Sequence, residues 1–242
     1  MAFLSRIARL LKRPKIDPMA DPATLARIGA DVSARLRANP LVDELGGSKA
    51  QLFRWPSFLT TEECDRLIDV IESRIQPSPL FSDRKTSGGR TSSTHFFAED
   101  AAETIALGHK IDDALGIDRL HAETIQGQRY RKGEEYRHHR DYFREERPHW
   151  QKERLRGGQR SWTAMVYLNA VDGGGETEFP NLGLSISPEP GTLITWNNMD
   201  QNGRPNVHTR HAALPVEAGH KYVITQWYRQ GEWRLSTHAA SE

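Results

Sequence analysis

The sequence predicts a mainly β domain with flanking helices, arranged as a sandwich or barrel, on three observations. From about residue 121 onward, short β-prone segments alternate with Gly, Asn and Pro turns, at 123–131, 160–168, 184–187, 191–196, 206–212 and 221–228. Strands this short and this regularly spaced build two facing sheets or a closed one. Earlier stretches instead carry apolar residues at helical spacing. No run approaches the roughly 18 apolar residues of a membrane-spanning helix, so no transmembrane segment is expected.

In chain order, Phe3, Leu4, Ile7, Leu10 and Leu11 are interleaved with Arg6, Arg9, Lys12 and Arg13. The arginines interrupt what would be the apolar core of a secretion signal. The pattern suits a basic amphipathic helix, docked on the protein or resting weakly on an anionic membrane surface. Residues 20–40 predict a helix: Asp21 caps it, Pro22 fits the first turn, Leu25, Ile28, Val32 and Leu36 share a face, and Asn39-Pro40 stops it. Residues 1–48 therefore read as an N-terminal helical extension and 49–242 as one larger domain. Gln51 to Pro56 reads as a strand. Thr60 and Glu63 form a capping box, and the helix they open turns Leu67, Ile68 and Ile71 inward. The Gly/Ser/Thr-rich stretch Lys85 to Thr94 predicts a loop with an exposed tip. A further helix spans Asp100 to Leu115, with Ile105, Ile111 and Leu115 as core candidates and Gly116 as its stop.

Hydrophobic residues at 37% and charged residues at 27% fit a globular chain rather than a disordered one. The 33 Lys and Arg nearly balance the 32 Asp and Glu, so there is no global positive field and nucleic acid is not an expected partner. A single cysteine, Cys64, excludes an internal disulfide and a thiolate cluster and fits a reducing, cytoplasmic compartment. It is expected to pack as a small hydrophobe.

The chemistry concentrates in Tyr136-Arg-His-His-Arg-Asp-Tyr-Phe143, where one residue separates His139 from Asp141. On a strand, both side chains then point to one face. Two histidines and a carboxylate on one face of an octahedral ion leave three positions open, the arrangement of non-haem iron(II) oxygenases. His211 is the best candidate for the second histidine, in His211-Ala-Ala-Leu-Pro-Val-Glu-Ala-Gly-His-Lys221. His208 competes with it, since strand alternation allows only one of the two on the metal face. A turn at Pro215 to Gly219 would fold this segment into a hairpin and carry the Lys221 ammonium to the metal cavity, where it can grip a carboxylate. His138 is expected to face away from the metal.

Several ordered stretches now resemble the prolyl 4-hydroxylase branch of the Fe(II)/2-oxoglutarate oxygenases, over roughly residues 50–230. They are Arg90-Thr-Ser-Ser-Thr94, Gln128-Arg-Tyr130, Gly133-x-x-Tyr136-x-x-His139-x-Asp141 and Thr163-Ala-Met-Val-Tyr-Leu-Asn169. Gly174-Gly-Glu-Thr-Glu-Phe-Pro180, Pro190-Gly191 with Trp196, and His211 through Lys221 complete the set. The resemblance implies a double-stranded β-helix, a cupin-like jelly roll, with residues 49–242 as its catalytic domain. It implies His139, Asp141 and His211 as iron ligands, Lys221 on the 5-carboxylate of 2-oxoglutarate, and Tyr130 donating its hydroxyl to the same cosubstrate. Arg90, Tyr136 and Trp227 would border the substrate, and no other catalytic group is required. The implied reaction hydroxylates an unactivated C–H bond, most simply of a prolyl residue in a protein or peptide. It consumes O2, releases succinate and CO2, and takes ascorbate as reductant. A free amino acid or another small molecule is the alternative substrate. Arg140 and Gln226 depart from commoner choices in the family, which bears on peptide preference.

Other readings of the same residues are weaker. His139-Arg140-Asp141 spells the kinase triplet, but Tyr142 and Glu146 stand where that pattern needs Leu and Asn. Gly173-Gly-Gly175 lacks the Lys-Ser/Thr end of a phosphate loop and reads as a tight turn. Tyr167, Phe179 and Trp196 read as core aromatics, and Arg144 to Arg160 as a solvated loop or lid. Relatives that demethylate nucleic acid carry paired arginines beyond the distal histidine, where this chain has Glu217 and Lys221. A non-catalytic metal- or peptide-binding module, or a zinc hydrolase using the same ligands, is the competing class. An intact triad with a cosubstrate lysine argues against both.

Overall fold

The computed structural model describes residues 21–78 and 89–233. The expected helix over residues 1–13, and the start of the Lys85 to Thr94 stretch, lie outside them. The helices begin and end where their caps dictate. Asp21 accepts from the Ala23 N–H at the start of α1 (Pro22–Arg37). The Thr60/Glu63 capping box is complete at the start of α2 (Thr61–Ser73). Helix α3 (Ala102–Leu115) closes on Gly116 at φ 69°, a left-handed conformation that glycine adopts without strain. A fourth, one-turn helix, α4, covers Trp150–Glu153.

The strands in chain order are β1 (Asp43–Glu44), β2 (Leu52–Trp55), β3 (Gln76–Pro77), β4 (Ser93–Phe96), β5 (Gln126–Tyr130), β6 (Tyr136–His139) and β7 (Arg160–Tyr167). They continue as β8 (Gly173–Gly174), β9 (Thr177–Phe179), β10 (Leu184–Ile186), β11 (Leu193–Asn197), β12 (His211–Ala213), β13 (Val216–Ala218) and β14 (Lys221–Arg229). One sheet runs β1-β2-β11-β7-β14-β5-β4-β3, a smaller one β10-β9-β12-β6, and β13 pairs with β8 as a ribbon. Neighbouring strands are antiparallel throughout. The two sheets face one another as a jelly roll.

The large sheet is covered on both faces. From β7, Trp162, Ala164 and Val166 join Val32, Leu36, Ile71 and Ile111 of the helices in one core. Met165 and Tyr167 point the other way, into a second core with Phe179, Ile186 and Trp196. A strand buried on both sides need carry no polar alternation, and Ala164 to Leu168 is an unbroken apolar run on β7 and just beyond it. Residues 21–48 share this packing: Val32 and Leu36 enter the helical core, and β1 extends the large sheet beyond β2. Cys64 lies in the same core, as a small hydrophobe would.

Four expectations are corrected. Ile105 is 45% exposed, because the buried stripe of α3 runs through Thr104, Leu107, Gly108 and Ile111, one position out of phase with it. The end of the Lys85 to Thr94 stretch is strand, with Ser93 and Thr94 paired to Arg129 and Gln128 of β5, and Ser92 and Thr94 are buried. Within 206–212, Val207–Thr209 is a 3-10 turn capped by the Asn206 side chain, so the strand starts only at His211. Between Arg144 and Arg160 the chain is not wholly solvated: Trp150 and Glu153 are buried, and Glu153 pairs with Arg229 at 2.6 Å. Among the described residues, no helix is long and apolar enough to cross a membrane.

The phase of α3 sets an expected outcome in urea unfolding. Ile111→Ala should cost about 2–5 kcal/mol through lost burial and a cavity, and Ile105→Ala at most about 0.5 kcal/mol. Equal losses would contradict this placement of the helix.

Candidate metal centre

The register of β12 on β6 sets His211 opposite His139, with ring centroids 4.2 Å apart. Each ring is turned by its own backbone. The Nδ1 of His139 lies 2.9 Å from the Arg137 carbonyl oxygen, and that of His211 lies 2.9 Å from the Thr209 carbonyl oxygen. A carbonyl can only accept, so each Nδ1 carries the proton and donates, which leaves Nε2 as the lone-pair nitrogen.

Asp141 does not share a strand face with His139, as the spacing had suggested. Strand β6 ends at His139, and Asp141 lies in the bend that follows. Its direction comes instead from the facing sheet, where the Thr163 hydroxyl on β7 donates to Oδ2 at 2.8 Å. The other oxygen, Oδ1, is 3.5 Å from His139 Nε2 and 3.9 Å from His211 Nε2. All three ligand atoms fall within 4.8 Å of one another. Two imidazole nitrogens and one carboxylate oxygen converging in this way suit Fe(II).

The protonation states suit a metal as well. Burial alone would raise the Asp141 carboxyl, but His211, His139 and Arg160 together hold it far below the ordinary carboxylate range. Burial and the neighbouring His139 push His211 down to about 4, so it is neutral at pH 7 and free to ligate. His208 sits in the 3-10 turn, off the strand. His138 faces away, its Nε2 2.6 Å from Glu178. Phe179 and Trp196 are core residues, as read, but they also wall in the His211 ring, at 5.5 and 4.7 Å. Tyr136 stacks on His139 at 3.5 Å.

Lys221 reaches the site by a different route from the expected hairpin. Strand β13 pairs with β8 rather than β12, and the chain then crosses to the large sheet, where Lys221 stands opposite Tyr130 of β5. The pairing of β13 on β8 needs Gly174 at φ 69°, where a Cβ would collide with the Pro215 carbonyl oxygen. The glycine run is thus a tight ribbon rather than a simple turn. The Lys221 ammonium is fully buried and donates to Gly175 O at 2.6 Å and to Thr177 Oγ1 at 3.4 Å. Two of its three donors are thereby used, and among the described residues no carboxylate lies within ion-pair distance. Burial lowers its pKa to about 7.

Lys221, Val223, Thr225 and Trp227 alternate along β14 and line the pocket that holds the metal ligands. Tyr130, Tyr136 and Arg90 line it too. The Arg90 guanidinium donates to Ser92 Oγ at 2.8 Å and Thr94 Oγ1 at 3.0 Å, and stands 5.2 Å above the Tyr136 ring. Trp227 lies under the Arg160 guanidinium at 4.2 Å, and Arg160 is held by Glu123 at 2.6 Å. Thr163, Thr177 and Arg160 were not singled out from sequence. On β7, buried on both faces, alternation alone does not mark which side faces the site.

Residues 125–229 match the 2OG-Fe(II) oxygenase superfamily. "Probable prolyl 4-hydroxylase 10" of Arabidopsis thaliana is 30% identical over 237 residues, covering 88% of this chain and 78% of the plant protein. The chain belongs to this superfamily. A solved structure of a viral collagen prolyl hydroxylase from Paramecium Bursaria Chlorella virus-1, in complex with 2OG, superposes with a TM-score of 0.59 at 30% identity, covering 77% of this chain and 98% of that one. The human prolyl 4-hydroxylase subunit alpha-1 is 30% identical over 196 residues, 79% of this chain. The chain spans only 36% of that subunit's length. Within the superfamily this is a prolyl 4-hydroxylase-like member, and the converging His139, Asp141 and His211 fit its Fe(II).

Anaerobic equilibrium dialysis checks the ligand set. His139→Ala and His211→Ala should each abolish Fe(II) binding, whereas His208→Ala should retain it. The opposite pattern for the last pair would reassign the distal ligand.

Proposed function

We propose that the protein hydroxylates a prolyl residue in a protein or peptide, using Fe(II), O2 and 2-oxoglutarate and releasing succinate and CO2. The observation that carries this reading is that the His139, Asp141 and His211 group and the buried Lys221 ammonium line one pocket. When bound, iron and 2-oxoglutarate with O2 supply the oxidising power, coupling decarboxylation of the cosubstrate to C–H hydroxylation. Ascorbate serves as an external reductant.

The chain's own residues bind and orient. Two imidazoles and one carboxylate hold the metal from one side and leave the other side to reactants. Lys221 offers its remaining donor to the distal carboxylate of 2-oxoglutarate, and a buried, unpaired ammonium gains most from an anion brought into the same low-dielectric space. Tyr130, its cross-strand partner, donates its hydroxyl to the same carboxylate. Arg90, Tyr136 and Trp227 form the wall against which the substrate lies. Residues 49–242 act as the catalytic unit and 1–48 as its extension. A net charge of +1 agrees with a protein or peptide partner rather than nucleic acid. A single cysteine, which cannot form an internal disulfide, agrees with a cytoplasmic location.

Purified protein given iron, 2-oxoglutarate, O2 and proline-rich peptides should release succinate in step with peptides heavier by one oxygen atom. Succinate release with free proline and none with peptides would move the substrate to a small molecule. No release with either would overturn the reading.

Lys221 gives a separate check. Lys221→Ala should weaken 2-oxoglutarate binding while Fe(II) stays bound. In the free protein the lysine loses its proton near pH 7, and the cosubstrate binds the charged form. Affinity should therefore fall by up to about tenfold per pH unit above 7, and calorimetry at pH 8 in two buffers should register proton uptake. A flat profile in wild type would sink the role.

A further inference from the structure

Behind the metal ligands runs a buried chain of side chains that the reaction itself does not require. Trp196 Nε1 donates to Asn198 Oδ1 at 3.2 Å. Asn198 Nδ2 donates to Thr163 Oγ1 at 3.0 Å. Thr163 Oγ1 donates to Asp141 Oδ2 at 2.8 Å. Trp196, Asn198 and Thr163 are each at most 1% exposed, so water does not substitute for any link.

The direction of this chain is fixed at both ends. An indole N–H can only donate, which obliges Asn198 to present its oxygen to Trp196 and hence its NH2 to Thr163. An ionised carboxylate can only accept, which obliges the Thr163 hydroxyl to donate to Asp141. The hydroxyl has one hydrogen, and with Asn198 filling a lone pair, that hydrogen has no competing acceptor in the chain. Asp141 Oδ2 is therefore occupied, and Oδ1, the oxygen nearer both histidine Nε2 atoms, is left to the metal. The same Trp196 whose N–H starts the chain packs its ring on His211 at 4.7 Å. One residue thus touches two of the three ligands, one by ring contact and the other through two hydrogen-bonded side chains.

We infer that Trp196, Asn198 and Thr163 are positioning residues that hold Asp141 as a one-oxygen ligand and keep the position beside it open. The inference rests on the proposed metal site. Outer partners of this kind change metal affinity by roughly 10–100-fold when removed.

The test is a titration of the full-length protein with Mn(II), read by EPR, alongside thermal unfolding of every variant. Thr163→Val should raise the Mn(II) Kd by about tenfold or more, and Thr163→Ser, which restores the hydroxyl, should return it to the wild-type value. Trp196→Phe keeps a ring against His211 but frees the Asn198 amide to flip, so it should weaken binding in the same direction. Combined with Thr163→Val, it should add nothing further, because both act through one hydrogen bond. Wild-type affinity in Thr163→Val, or additive losses in the double variant, would overturn the relay while leaving the metal site standing. Failure of the wild type itself to bind Mn(II) or Fe(II) would overturn both.

Discussion

The site depends on the register between β12 and β6. Side chains alternate along a strand, so a slip by one residue would turn His211 out of the cavity and replace it with Ala212 or Arg210. The register is held from several sides. Strand β12 is paired on both edges, with β6 and β9. Asn206 caps the turn before it, and the His211 ring is wedged between Phe179 and Trp196. A histidine fixed in this way needs no metal to find its rotamer, and the entropy of ordering it is met by folding rather than by binding.

The large sheet supplies what the small sheet lacks. The small sheet brings two imidazole nitrogens, whereas Thr163, which hydrogen-bonds the Asp141 carboxylate, and the buried Lys221 ammonium stand on β7 and β14 across the cavity. Catalytic geometry is therefore a property of sheet packing, and the two aromatic-rich cores on either side of the large sheet keep that spacing rigid. Charge is handled differently on the two sides of Trp227. Glu123 is paired with both Arg160 and Arg229, and Arg229 also with Glu153. Removal of one partner from such a buried group costs several kcal/mol. Lys221 has no such partner among the described residues, and its ammonium is the group whose charge a bound anion would complete.

Much of this was legible in the sequence, and the failures have physical causes. His139 and Asp141 are legible because ordered companion motifs surround a His-x-Asp pair that says little alone, yet strand alternation does not explain their convergence: Asp141 leaves the strand and is aimed by a hydroxyl from another sheet. His211 was preferred to His208, and the structure separates them more sharply, since His208 lies in a 3-10 turn. Lys221 was placed near the metal through a hairpin, whereas the chain crosses between sheets at the glycine-rich ribbon. Local spacing reports which residues are close in sequence, and sheet crossing is decided by long-range pairing. Ile105 failed for a smaller reason, a phase error of one position on a helix whose buried face includes Thr104 and Gly108. The supporting roles of Thr163, inside β7, and Asn198, just past the end of β11, left no signal, because buried polar residues look the same in sequence whether they support a ligand or merely satisfy one another.

The central claim is that iron on His139, Asp141 and His211 and a 2-oxo acid on Lys221 share one pocket. Anaerobic addition of 2-oxoglutarate to the Fe(II)-loaded protein tests it most directly, because chelation of Fe(II) by a 2-oxo carboxylate produces a visible charge-transfer band. The band should appear with wild type, require higher 2-oxoglutarate with Lys221→Ala, and be absent with His139→Ala. A wild-type protein that binds both components without the band, or a His139→Ala variant that keeps it, would contradict the shared site.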